Sequence, residues 1–252
     1  MLFAEIQLKI QNAKMLDFGI IFNQSIELFK KIWIQGLVTV LLSVALAIPF
    51  MIIVYLPLIF LGVVDASNPS MIDTAAPLLL LVFVLAYLIL IIAVATITIA
   101  LKAALYRIMF QYDMNVLGKE DYFYFLKKTY LSKTISVGLA YIGISVLATL
   151  LCFFPLIYVM VPLNLLIVIY AFNPDFTLSN LIKVSFDLGN KKWFITFGLT
   201  LVASFLAEMV GFLLCFIGIL ATVSFVGIPL YFIYKEVIGF DNAETQQIEE
   251  NV

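Results

Sequence analysis

Histidine is absent from this chain, cysteine and tryptophan occur twice each, and only 12% of its 252 residues are charged. Without histidine there is no Ser-His or Cys-His catalytic pair and no imidazole to hold zinc or iron. No P-loop or dinucleotide-binding glycine pattern appears either. Cys152 and Cys215 both lie in apolar runs, where a thiol behaves as a small buried apolar group, so no disulfide is expected. The 14 Lys and Arg against 16 Asp and Glu give a net charge of −2. The bases stand at the edges of apolar runs rather than in a patch, which argues against nucleic acid as a partner. The acids are scattered, so no metal site, cofactor or catalytic dyad is expected, and the chain reads as a non-enzyme.

What it does have is long apolar sequence. The apolar fraction is 64% and the mean hydropathy +1.15, well outside soluble usage. Residues 134–174 carry no charge, and residues 194–234 carry only Glu208. Each run is about twice the roughly 20 residues that one helix needs to cross a bilayer, so each reads as a hairpin. The same reading divides the first third at the polar turn from Asp65 to Asp73. Spans are expected at 36–62, 77–101, 134–154, 158–173, 194–216 and 220–239. The apolar character on all sides excludes the alternating strands of a barrel.

All Lys and Arg fall within residues 1–35, 102–133 and 183–192 or at Lys235, and the alternate turns have none. The positive-inside rule then places both chain ends on the cytoplasmic side. The acids Glu5, Asp17 and Glu27 near the start exclude a signal peptide. The acidic segment 241–252 is expected to be a disordered tail, leaving 1–240 as one membrane domain.

The two tryptophans share a pattern. Ser25-Ile-Glu-Leu-Phe-Lys-Lys-Ile-Trp33 aligns without gaps on Ser185-Phe-Asp-Leu-Gly-Asn-Lys-Lys-Trp193, and a weaker copy, Tyr124-Phe-Leu-Lys-Lys-Thr-Tyr130, lies between them. Phe18, Ile21, Phe22, Ser25, Phe29, Ile32 and Trp33 fall on one helical face, and Leu178, Leu181, Ile182 and Ser185 repeat this behind Thr177 as N-cap. The spacing predicts an all-α polytopic membrane protein of six transmembrane helices in three repeats, about 17–101, 102–173 and 174–240. Each would be an interfacial amphipathic helix followed by a helical hairpin. Trp33, Trp193 and Tyr130 with Lys30, Lys31, Lys127, Lys128, Lys191 and Lys192 are the expected anchors at the membrane interface.

This arrangement, with the ending Pro229-Leu-Tyr-Phe-Ile-Tyr-Lys-Glu-Val-Ile-Gly-Phe-Asp241, resembles a group of bacterial six-span proteins, particularly of Bacteroidota. It is also similar to the membrane domain that accompanies some glycerophosphoryl diester phosphodiesterases. The resemblance covers about Asp17 to Asp241 and implies a fold and a place in the bacterial cytoplasmic membrane. It carries over no hydrolase, because six spans leave no room for the soluble catalytic barrel. A carotene-oxygenase label borne by some of the group does not fit a chain without the histidines that hold iron.

One ionisable residue, Glu208, stands inside the expected spans apart from their end positions. Such a group costs several kcal/mol unless paired, neutralised or wet. Depth counting at about 1.5 Å per residue brings Asn164, Ser204, Thr222 and Ser224 near its level. Two readings are open: a carboxyl that staples helices together or reaches outward to the headgroups, or a proton or solute site. The first goes with the favoured reading, a scaffold that interacts with the lipid bilayer and with a bound lipid or a membrane protein as partner. The second fits a small transporter or channel.

Overall fold

The computed structural model describes residues 1–67, 72–116, 118–151, 154–214 and 217–240. They are helical, with no strand among them: α1 (Phe3–Gln11), α2 (Phe18–Ser67), α3 (Ile72–Met114), α4 (Lys128–Leu150), α5 (Phe154–Phe172), α6 (Leu178–Lys191), α7 (Trp193–Leu213), α8 (Ile217–Thr222) and α9 (Ile228–Val237). Single 3-10 turns occupy Tyr124–Leu126 and Val223–Gly227. Six stretches are long and apolar enough to cross a membrane: Phe18–Pro57, Pro77–Met114, Lys128–Leu150, Phe154–Phe172, Trp193–Leu213 and Gly218–Val237. Helices suit this setting because each satisfies its own backbone hydrogen bonds where no water can. Span hydroxyls do the same: Ser25, Thr39, Ser43 and Thr96 each donate to the carbonyl four residues earlier at 2.7–2.8 Å.

The expected break between an interfacial helix at 17–33 and a span at 36–62 is not there. α2 runs unbroken through both, with Trp33 inside it and 45% exposed. Nothing in the sequence stops it, since Gly36 alone costs a helix only about 1 kcal/mol. One stripe, Ile21, Ser25, Leu28, Ile32, Gly36 and Thr39, is buried across the expected boundary. At about 1.5 Å per residue, the 50 residues of α2 measure about 75 Å, more than twice the roughly 30 Å hydrocarbon core of a bilayer.

α3 likewise outruns its expected end at 101 and continues to Met114. It stops where Asn115 takes a left-handed φ of 53°. The N–H of Val116 then reaches back to the carbonyl of Gln111 at 3.0 Å, closing the helix as a glycine would. The middle copy of the repeat is no interfacial helix. Tyr124–Leu126 is a 3-10 turn, Lys127 is extended, and α4 starts at Lys128 with Tyr130 in its first turn. The amphipathic α1 was not anticipated; it buries Ile6 and Ile10.

α5 is the hub. Every residue from Leu165 to Phe172 is buried, and the helix packs on α3, α4, α6 and α9. Around its C-terminal end, Phe172 stacks on Tyr234 at 5.1 Å, and Phe240 closes over Phe110 and Phe172 at 4.6 and 4.8 Å. α6 forms as expected from Thr177, whose hydroxyl caps the N–H of Asn180 at 3.2 Å. Its apolar face, however, meets protein. Leu181, Val184 and Leu188 are fully buried, and Gly189 lies so close to Pro162 that an added Cβ would sit 3.0–3.2 Å from that ring.

The last span changes its winding without a break: α8, the 3-10 helix Val223–Gly227, then α9, with helical dihedrals at both junctions. Pro229 explains the change, because it has no N–H to give and its ring clashes with the carbonyl of the preceding α-helical turn. Cys152, Cys215 and the acidic segment 241–252 lie outside the described residues.

Candidate functional site

A cavity of about 530 Å³ opens between α2, α3, α5, α7 and the last span. All five residues singled out by depth line it: Asn164 from α5, Ser204 and Glu208 from α7, Thr222 and Ser224 from the last span. Two of them are already committed. The Thr222 hydroxyl donates to the carbonyl of Ala207 at 2.8 Å, with that of Gly218 at 3.0 Å, and the Ser224 hydroxyl donates to the carbonyl of Ala221 at 3.1 Å. Glu208, Asn164 and Ser204 make no hydrogen bond among the described residues. The carboxyl is therefore not the hydrogen-bonded staple between helices that one reading expected. It stands on the cavity rim, between the wall residues Ser204 and Ala207 and the outward apolar residues Phe205 and Met209, 66% and 46% exposed.

Lys102 is the residue the sequence reading missed. The charge pattern places it beyond a span ending at 101, but α3 carries it into the same cavity as Glu208. It is surrounded by protein and exposed to the cavity, and it has no hydrogen bond or ion pair among the described residues. The sequence signal was available: from Lys102 to Phe110 no residue breaks the helix, so the boundary drawn by charge lay inside it. Tyr106, one turn on, also lines the cavity, and its hydroxyl lies where a Cβ on Gly227 would approach to 3.2 Å. Apolar side chains, among them Val40, Leu105, Met109 and Ile167, make up the rest of the walls. Among the described residues no three of Cys, Asp and Glu gather as a metal site.

Two polar clusters brace this cavity from the Met114 end of α3. Asp113 accepts from the Tyr231 hydroxyl at 2.7 Å and from the Lys235 ammonium at 2.6 Å, tying α3 to α9. Glu120 accepts from the hydroxyls of Tyr112 at 2.6 Å and Tyr122 at 2.7 Å and from the Gln35 amide at 2.9 Å, tying the loop after α3 to α2. Burial pushes the Glu120 carboxyl up, but these three hydrogen bonds outweigh it and hold the group below its ordinary value of 4.5. A depressed carboxyl stabilises the fold above its unfolded value, and that contribution is lost as pH falls through the folded value. Glu120→Gln should therefore unfold at a lower temperature than the parent at pH 7, and the gap should close below about pH 4. A gap that persists unchanged at pH 3 in thermal unfolding scans would refute this account.

The expected anchors divide. Lys31, Lys128 and Lys191 are exposed, while Lys30 pairs with Glu27 and Lys127 with Asp121, each at 2.6 Å. The Tyr130 hydroxyl accepts from that of Tyr124 at 2.9 Å. Trp193 opens α7, and its indole N–H donates to the carbonyl of Tyr158 at 3.1 Å. Lys192 is not a headgroup anchor. It is 8% exposed and donates to the carbonyls of Ala13 and Lys14, because the α6–α7 junction packs against the chain leaving α1.

In comparisons with known proteins, no family model matches the chain, and neither does any curated protein or solved structure.

Proposed function

We propose that this chain is a small, non-enzymatic membrane transporter that takes its solute in the cavity between Lys102 and Glu208. The observation that carries the reading is the cavity itself, which Lys102 and Glu208 line from α3 and α7 and whose wall includes the 3-10 stretch Val223–Gly227 of the last span. Ionisable residues inside spans face a solute path or cavity, and a stretch of 3-10 helix within a longer helix is a common mark of a hinge. The volume falls in the range of about 300–1,000 Å³ usual for small-molecule sites. The segregation of the basic residues supports a multi-pass protein of a bacterial cytoplasmic membrane with both chain ends on the cytoplasmic side. The six-span pattern supports kinship with the bacterial group described above. A scaffold that grips lipid through a collar of interfacial helices is less well supported, because α6 and the first part of α2 spend their apolar faces on the protein itself.

Transport requires the cavity to meet both aqueous phases in turn. In a background with Cys152 and Cys215 replaced by Ala, Ser204→Cys should react with a small membrane-impermeant thiol reagent from either side of sealed vesicles. Reaction from one side alone, or none with the protein folded, would remove the transport reading.

A further inference from the structure

We infer that the solute is a zwitterion, with its anionic group held at Lys102 and its ammonium group at Glu208. The inference rests on the transport reading and names the class of solute. Lys102 and Glu208 reach one cavity from α3 and α7, and among the described residues neither is engaged by the other or by anything else. Opposite charges gain strongly by pairing in a space walled by apolar side chains. Two that face the same space unpaired form a cationic and an anionic subsite at a distance from each other. A lone anion would meet Glu208, a lone cation would meet Lys102, and a neutral solute would leave both charges unanswered. Only a molecule carrying both charges answers both.

The Lys102 end has a further donor for the anion: the Tyr106 hydroxyl, one turn along α3 and next to Gly227, on the same cavity. Glu208, on the rim, would meet the ammonium group, and the apolar walls leave room for an apolar substituent. A carboxylate or phosphate with an ammonium group could come from a free amino acid or from a zwitterionic lipid headgroup.

The full chain, purified in detergent, would be screened singly by thermal shift against the twenty proteinogenic amino acids. Any that bind would be compared with the amine and the acid that each lack one charge. In parallel, native mass spectrometry would compare retention of phosphatidylethanolamine and phosphatidylglycerol. Expected is binding of at least one apolar amino acid, with each single-charge analogue at least tenfold weaker, or a tenfold preference for phosphatidylethanolamine; the arm that responds identifies the source. Glu208→Gln should bring the zwitterion and its acid analogue within twofold, and Lys102→Met should do the same for the zwitterion and its amine analogue. The inference is overturned if no amino acid and neither lipid is bound, if single-charge compounds bind as well as zwitterions, or if these variants fold and leave the ratios unchanged. Those results together with two-sided labelling of Ser204→Cys would remove the zwitterion and leave transport standing. The same results with labelling from one side or none would remove both.

Discussion

Asp113→Ala should lower the unfolding free energy by about 3 kcal/mol, the scale on which a largely buried ion pair is missed when one partner is removed. Among the described residues Asp113 alone is shared by the Tyr231 hydroxyl and the Lys235 ammonium, and its side chain is 16% exposed against 28% for Lys235. Removing it leaves the hydroxyl of a fully buried tyrosine without its acceptor and a half-buried cation with the Phe232 ring but no carboxylate beside it. Asp113→Asn keeps an acceptor for Tyr231 and loses the charge, so it should fall between parent and Ala. Lys235→Met should cost less in the Ala background than in the parent, because the charge it removes has already lost its partner. Denaturant unfolding in mild detergent measures all of these, and an Ala variant as stable as the parent would show that this cluster does not hold α9 on α3.

The distribution of charge made the number and place of the spans legible, because one Lys or Arg in hydrocarbon is costly enough to leave its mark on every boundary. Depth counting also brought Asn164, Ser204, Thr222 and Ser224 to Glu208, since a helix rises by a fixed length per residue whatever it packs against. Helix ends were less legible. Charge marks where a chain leaves hydrocarbon, whereas a helix ends only at a cap or a breaker. α2 therefore runs through Trp33, and α3 passes Lys102 to stop at Asn115. That single difference moved Lys102 from a boundary to the cavity. The 3-10 stretch in the last span was written in Pro229, but hydropathy alone averages over it. The buried face of α6 was read correctly as apolar, yet whether lipid or protein covers such a face is set by α5 and cannot be read along one helix.

Gly36→Ala should destabilise the fold by about 2 kcal/mol, the usual cost of forcing a methyl into a filled contact. At an unconstrained helix position the same change would stabilise by up to about 1 kcal/mol, because alanine is the better helix former. The sign is reversed here because a Cβ on Gly36 would stand 2.1 Å from the Ser224 Oγ and 2.5 Å from its Cβ. α2 approaches the 3-10 stretch of the last span at this point, and a residue without a side chain permits the approach, as small residues do between membrane helices. The obstructing atoms belong to Ser224 alone, so Ser224→Gly should restore most of the stability lost in Gly36→Ala while costing some in the parent. The two changes should then couple by more than 1 kcal/mol in a double-mutant cycle. Because Gly36 and Ser224 both line the cavity, the Ala variant should also slow labelling of Ser204→Cys, and the Ser224→Gly partner should restore it. An Ala variant with a raised unfolding midpoint, or single changes that simply add, would mean that α2 and the 3-10 turn are not held together through this contact.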